Sequence, residues 1–364
     1  MKVVVTGGAG FLGQRLIRAL VARGRLTDAA GQERPIEQIV AIDSMQSGSL
    51  VVDERVGYVN GDISTPNFLQ HVIAADTDCV FHLAAVVSGA AEAEFDLGLR
   101  VNLDGTRALL EACRRQPRPP KLVFASSVAV FGGALPAVVD DATAPTPVSS
   151  YGVQKLVGEL LVGDFSRKGY IDGRAVRLPT IVVRPGKPNA AASSFASGII
   201  REPLAGEPAV CPVEPDTALW VLSPAAAIAA LLHTHELPAE RWRASGGGRA
   251  LNLPGLTVTV AQMLDALESV AGAAARARVS VQPDERIKAI VQSWPARFAT
   301  VRAGPRALPR CAPTRWATGA TATSWTSCAR TAPRWATERR HDDEAHRTRK
   351  AAGADHRQRP APGR

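Results

Sequence analysis

The chain has 364 residues, 46% of them hydrophobic, and a formal net charge of +9. That length accommodates one large α/β domain, or a domain with a smaller lobe. No apolar run reaches the roughly 18 residues that a membrane span needs, and the start, MKVVVTGGAG, is a strand-like run broken by glycines rather than a signal peptide. The net charge invites a nucleic-acid partner, but its distribution argues against one. Residues 303–364 hold 13 Lys+Arg and 5 Asp+Glu, whereas residues 1–302 hold 30 and 29. The body is nearly neutral and the excess belongs to the end of the chain. Five scattered cysteines (Cys79, Cys113, Cys211, Cys311, Cys328) suggest reduced thiols in a cytoplasm, not a disulfide framework.

The elements alternate along the chain. KVVVTG is a short continuous apolar run, as a strand covered on both faces should be. FLGQRLIRALVARG follows with Leu12, Leu16, Ile17 and Leu20 at helical spacing and ends at Gly24. TDAAGQERP reads as a surface loop. EQIVAID, RVGYVNGDI, DCVFHLAA and KLVFASS read as the second to fifth strands, with GLRVNLDGTRALLEACRR a helix before the fifth. YGVQKLVGELLVGDFSRKG opens a long amphipathic helix, and GRAVRLPT is a sixth strand. Strands and helices in alternation predict an α/β fold, a Rossmann-type doubly wound parallel sheet, over residues 1–184. Residues 185–302 change to loops, short helices and proline breaks, and read largely as a smaller substrate-binding lobe. In it ASGGGRALNLPG is a glycine-rich loop into a strand, and TVAQMLDALESVAG a helix capped by Thr257 or Thr259.

Residues 303–364 differ in kind. Leu308 is their only Leu, Ile, Val or Phe, yet Trp316, Trp325 and Trp335 lie there among Arg, Ala, Thr and Pro. Such a stretch has no amphipathic period and cannot build a core. A change of reading frame near residue 300 accounts for this composition. The alternative is a natural, disordered basic tail, and resequencing the gene separates the two.

TGGAGFLG places Gly7, Gly10 and Gly13 after a strand and at the opening of a helix, the context that gives a glycine pattern meaning. Gly7 allows a tight turn, Gly10 lets a pyrophosphate approach the N–H groups of the helix N-terminus, and Gly13 allows close packing of helix on strand. Asp43 ends the second strand, where an acid holds both ribose hydroxyls of NAD and repels a 2′-phosphate. With no arginine directly after it, NAD is expected rather than NADP. The plainer reading makes Asp43 a turn cap. Asp62, after the third strand, is placed either to reach the adenine or to form an Asx turn.

TGGAGFLG, GDI, HLAA, VNLDGT, ASSVAVFG, YGVQK and RLPT come in the order and spacing of the extended short-chain dehydrogenase/reductase family, which also contains nucleotide-sugar epimerases and dehydratases. The chain resembles that family over about residues 1–300. AAVVSGAAEAEFDLGLRVNLDGTRALLEAC and RLPTIVVRPGKPNAAASSFASGIIREPLAG look most like members that oxidise a four-carbon sugar acid with NAD.

The resemblance implies that Tyr151 is the general acid/base, with Lys155 one helical turn on. A free phenol titrates near pH ~10, and a neighbouring cation brings phenolate within reach. It implies that Lys155 also bonds the nicotinamide ribose. Ser127 should bond the substrate oxygen with Ser126 beside the cofactor, subject to a one-residue ambiguity between them. Phe131 replaces a tyrosine common in that motif. The cofactor wall carries over to Gly7, Gly10, Phe11, Leu12, Gly13, Asp43, Asp62, Ile63, Leu83, Ala84, Ala85, Asn102, Ser126, Pro179 and Thr180. Asn102 has a second reading, a buried polar group that pins a helix to the sheet.

For a carboxylate-bearing substrate the candidates are Arg184, Lys187 and Asn189 just past the sixth strand, with Ser88, Ser193 and Ser194 as further polar contacts. No metal site is expected, since His233 and His235 lie two apart on a predicted helix. The expectation is therefore NAD-dependent oxidation of a small sugar acid to its 2-oxo acid. The alternative is a nucleotide-sugar epimerase or dehydratase with tightly bound NAD, though Val128 and Ala129 stand where the dehydratases carry Asp-Glu. A non-enzymatic NAD-binding protein is a third reading, disfavoured by an intact Ser/Tyr/Lys set. From the resemblance a homodimer through helices near residues 96–115 and 151–167 is also expected.

Overall fold

The computed structural model describes residues 1–44, 50–186, 191–244 and 250–303. Its centre is a seven-stranded, all-parallel sheet. The strands are β1 (Lys2–Thr6), β2 (Gln38–Asp43), β3 (Val56–Asn60), β4 (Thr77–His82), β5 (Lys121–Ser127), β6 (Asp172–Leu178) and β7 (Leu251–Asn252), in spatial order β3-β2-β1-β4-β5-β6-β7. The order reverses between β1 and β4, so the loops after these two strands diverge and leave a crevice at the C-terminal edge.

Both faces are covered. Val3, Val5, Ile39, Phe81, Val123 and Val176 point to one face, against α1 (Phe11–Arg23) and a later helix at Pro224–Glu236. Val4, Val40, Val80, Leu122 and Phe124 point to the other, against α2 (Gly105–Arg114) and α3 (Ser150–Arg167). This is why the strands read as continuous apolar runs. α1 ends where the sequence predicts, at Gly24, which adopts φ 67°. The helix before β5 is less regular: Phe95–Gly98 is α-helical, Leu99–Asp104 is a π-helical stretch, and α2 follows.

Two expectations are corrected. The segment read as a surface loop contains a hairpin, with Arg25–Thr27 antiparallel to Glu33–Pro35. Asp28 closes it by accepting from the backbone N–H groups of Ala30 and Gln32 at 2.9 Å each; strands of three residues are too short for a two-residue alternation to register. And α3 does not sort polar outward and apolar inward. Its buried face holds Gln154, Lys155 and Glu159, while Leu160 is 65% exposed and Val153 46%.

Past residue 185 the chain does two things. Together with Thr180–Ile181, it builds a three-stranded sheet from Ala218–Leu222 and Leu256–Thr259, packed with α4 (Ser194–Leu204) and a helix at Val260–Ala271. It also returns α5 (Pro224–Glu236) and β7 to the main sheet. Of the two caps left open, Thr259 is the one used: its hydroxyl accepts from the Gln262 N–H and the Gln262 side chain accepts from the Thr259 N–H. The stretch from 304 to 364 lies outside the described residues.

Candidate active site

A cavity of about 720 Å³ runs along the C-terminal edge of the sheet. One end is the glycine turn. Gly7 has φ +71°, and a Cβ there would lie 2.8 Å from the Ala84 nitrogen. At Gly13 a Cβ would lie 2.1 Å from the Gly7 carbonyl oxygen, so only glycine lets α1 start this close to β1. No side chain caps α1. Its first-turn N–H groups are thus left for a ligand, as an anion at a helix N-terminus requires. Asp43 lines the same end, and its Oδ2 accepts from the Ala9 N–H at 3.0 Å, tying the strand end to the glycine turn. The carboxylate thus caps the glycine turn, as the plainer reading has it, while it lines the cavity. Asp62 also lines the cavity while its Oδ1 accepts from the N–H and hydroxyl of Ser64 at 2.8 and 2.7 Å, an Asx turn.

Phe11, Leu12, Ile63, Leu83, Ala84, Ala85, Ser126, Pro179 and Thr180 continue the wall, and Ser88 joins it from the short helix after β4. Asn102 does not. Its carboxamide is spent on both backbone groups of Val86 (2.7 and 3.0 Å) and on Gln154 Oε1 (2.8 Å). It pins the loop that lines the cavity instead of facing it, the second of the two readings. Lys187 and Asn189 lie outside the described residues. Ser194 begins α4 and is not part of the wall.

The far end brings Ser127, Tyr151, Lys155, Arg184, Ser193 and Trp294 into one chamber. The strand pleat separates the two serines, because successive side chains leave on opposite sides. Ser126 Oγ donates to the buried Glu159 Oε1 at 2.5 Å. Ser127 caps the turn after β5, accepting from the Ala129 N–H at 3.1 Å, and its hydroxyl acts on Tyr151, holding the phenol pKa down. Lys155 Nζ donates to the Ala125 carbonyl at 2.9 Å and lies 4.8 Å from the Phe124 ring centre and 5.8 Å from that of Tyr151. Burial depresses its ammonium to about 8, opposed by Glu159.

Burial pushes the Tyr151 phenol up to about 12, against the Ser127 hydrogen bond and the positive charge of Arg184, which both pull it down. Arg184 is thus a second cation acting on Tyr151, beside the Lys155 to which the i, i+4 spacing pointed. Arg184 is itself held rigidly. Its N–H donates to Ser197 Oγ (3.0 Å), its carbonyl accepts from Arg201 (2.8 Å), and Nη2 donates to Ser193 Oγ (2.9 Å). Its Nε is buried with no protein partner. Arg184 lines the chamber, and a buried guanidinium N–H without an acceptor there suits an anionic partner.

His82 is a different kind of group. Its Nδ1 is 2.7 Å from Thr6 Oγ1 and its Nε2 2.9 Å from Thr106 Oγ1. The Thr106 hydroxyl donates to the Asn102 carbonyl at 2.6 Å, so Nε2 carries the ring proton and Nδ1 accepts. Burial, reinforced by Lys155, lowers its pKa to about 3, so it is neutral and fixed.

Sequence reasoning missed Trp294, which reaches the chamber from the turn after helix Glu285–Gln292, and Glu159 behind it. No local pattern marks the first. The second falls four residues beyond Lys155 on the same helix face, a spacing that was available. Among the described residues there is no cluster of three or more His, Cys, Asp or Glu placed to hold a metal, and no helix is long and apolar enough to cross a membrane.

The sequence model of the NAD dependent epimerase/dehydratase family matches residues 3–220. A D-erythronate dehydrogenase of Cupriavidus necator is 57% identical over 303 residues, covering 83% of this chain and 92% of its own. A D-erythronate dehydrogenase of Haemophilus influenzae is 46% identical over 83% of this chain and 93% of its own. Among solved structures, one described as a nucleoside-diphosphate-sugar epimerase from Agrobacterium tumefaciens superposes with a TM-score of 0.76 at 42% identity, covering 83% of this chain and 88% of its own.

Proposed function

This chain belongs to the NAD dependent epimerase/dehydratase family and is an oxidoreductase, and from that premise we propose that it oxidises a small sugar acid of the D-erythronate type to its 2-oxo acid with NAD. One observation carries the reading. A single cavity joins a glycine-lined helix N-terminus to a chamber holding a serine, a tyrosine, a lysine and an arginine whose Nε lacks a protein acceptor. The first end suits a dinucleotide's pyrophosphate and the second a short hydroxy acid. Asp43 at the end of β2 favours NAD, because a carboxylate there repels a 2′-phosphate.

The residues fit the cofactor as follows. The α1 N-terminus with Gly7, Gly10 and Gly13 would take the pyrophosphate, Asp43 the adenosine ribose, Asp62 and Ile63 the adenine side, Lys155 the nicotinamide ribose, and Pro179 and Thr180 the carboxamide. When bound, an oxidised nicotinamide supplies a hydride acceptor and a positive charge. The chain does the rest. Arg184 and Ser193 hold the carboxylate, with Ser88 in reach of a hydroxyl. Ser127 fixes the reacting hydroxyl oxygen. Tyr151 Oη, in its phenolate form, takes the hydroxyl proton as the hydrogen on the same carbon departs with its electron pair. Lys155 and Arg184 flank Tyr151 with positive charge, which opposes the effect of burial.

The test is NADH formation from four- to six-carbon sugar acids with NAD or NADP. The expected outcome is turnover of D-erythronate with NAD, reduced about 10³-fold in Tyr151→Phe, while NADH binding, followed by its fluorescence, is retained. A folded, NADH-binding protein that turns over none of these acids would overturn the reading.

A further inference from the structure

We propose that Glu159 is a positioning residue for the Ser127/Tyr151/Lys155 centre: its carboxylate clamps Ser126 and Arg177 beneath the cavity floor and provides the electrostatic seat of the Lys155 ammonium. The inference rests on the reading of that centre given above.

Tyr151, Lys155 and Glu159 are spaced four and four along α3, so they share one helix face. That face lies on β5 and β6. Two adjacent β5 residues are tied to it one turn apart: the Ala125 carbonyl accepts from Lys155 Nζ at 2.9 Å, and Ser126 Oγ donates to Glu159 Oε1 at 2.5 Å. In the sheet Ser126 is directly opposite Arg177 on β6, and Arg177 is opposite Asn252 on β7. The three form one row, all buried. Arg177 grips Glu159 with Nε at 2.9 Å and Nη2 at 2.7 Å, and reaches Asn252 Oδ1 at 3.3 Å. Its guanidinium also lies 4.8 Å from the Phe131 ring centre. One carboxylate therefore registers three strands against the helix that carries the tyrosine and lysine.

A buried ion pair of this kind gives little net stability compared with an apolar replacement, because desolvation offsets attraction. Its place beside a reactive centre asks for another role. The groups facing Lys155 are few. Glu159 and Tyr151 come from its own helix, Arg177 from β6, His82 from β4, and Arg184 stands beyond Tyr151. Glu92 sits at the solvent end of α3, accepting from the Ser150 N–H at 2.9 Å. His82 is neutral, so among these Glu159 is the one group credited with opposing the loss of the lysine's charge to burial.

The experiment compares wild type with Glu159→Gln, Glu159→Asp, Arg177→Met and the double variant Glu159→Gln/Arg177→Met. The double variant leaves no unpaired buried cation should the single one fail to fold. Folding is checked by thermal melting. The readouts are NADH affinity by fluorescence as a function of pH and, in parallel, the pH profile of kcat/KM with D-erythronate and NAD. Without the carboxylate, Lys155 deprotonates at lower pH. The alkaline limb of both curves is expected to move down by about one pH unit, or about tenfold in NADH affinity at a fixed pH on that limb. Glu159→Asp, which keeps the charge, should restore most of the shift. A folded Glu159→Gln whose alkaline limb coincides with wild type, or a double variant whose limb coincides with that of Arg177→Met, overturns the proposal, since a carboxylate that does not act on Lys155 lowers stability without moving its titration. The binding curve reads this even with no turnover of D-erythronate, so failure of the substrate assignment is distinguishable from failure of this inference.

Discussion

Arg174 and Arg177 lie three residues apart on the same strand, both are buried, and both grip a carboxylate. Odd separation sends them to opposite faces of the sheet. Arg174, toward the N-terminal end of β6, pairs with Asp172 at 2.6 Å and donates to the carbonyls of Thr234, His235 and Leu237 at 2.5, 2.9 and 2.6 Å. These are the open carbonyls at the end of α5. Lys121 adds to the same end, reaching the carbonyls of Thr27 at 2.8 Å and His235 at 3.3 Å. A cation there satisfies orphan acceptors and complements the helix dipole. Arg177, toward the C-terminal end, is tied through Glu159 to Ser126, one residue from the proposed Ser127 and one turn from Lys155. Burial alone thus does not mark a charge as functional; the partners do. One arginine closes a helix end and the other serves a cavity.

The largest expected effect breaks the first of these clusters. Arg174→Met leaves the half-buried Asp172 unpaired beside three carbonyls that lose their donor. It is expected to cost about 3–5 kcal/mol of stability, read as a drop in the urea midpoint, with the alkaline limb of NADH binding unchanged. A moved limb would mean that the two ends of β6 are electrically coupled, and the contrast would fail.

A second effect, smaller over the first pH unit or two below 6.5, follows from the neutral His82. Its folded pKa of about 3 lies below its unfolded value of about 6.5. Between those values the unfolded chain binds the extra proton and the folded one does not. Stability is therefore fully present above about pH 6.5 and falls as pH drops toward 3, by about 1.4 kcal/mol per pH unit from this group. His235, also depressed by burial, works in the same direction. In urea melts at stepped pH, the stability advantage of wild type over His82→Gln should shrink at that slope. A pH-independent difference would show that His82 titrates alike in the folded and unfolded chain, so that burial does not hold it neutral.

Much of this molecule is legible in the chain because its signals are local. Continuous apolar runs mark strands covered on both faces, and glycines after β1 mark a place where backbone approaches backbone. The residues from Gly7 to Thr180 that were expected along one edge line one cavity, Asn102 apart. What escaped has long-range causes. Arg184 acts on Tyr151 from 33 positions away in sequence. Ser126 meets Glu159 across 33 positions, and Trp294 arrives from near the end of the described residues. Asn102 is polar, buried and at the right level of the sheet, yet its partners were decided by a π-helical stretch that no residue pattern announces.

The smallest effect sharpens the comparison most. Ser126→Ala removes one donor from Glu159 while Arg177 keeps its two, so the carboxylate stays charged and paired. The loss should be about 1.5 kcal/mol, the usual scale for a hydrogen bond to a charged group. If Glu159 acts through its charge, the alkaline limb that Glu159→Gln moves should remain in place in Ser126→Ala. If instead the limb moves as far in both variants, the carboxylate's role is to hold β5 against α3, and the position of Ala125 under the Lys155 ammonium is what sets its charge. The two variants together separate a field effect from a geometric one at the same atom.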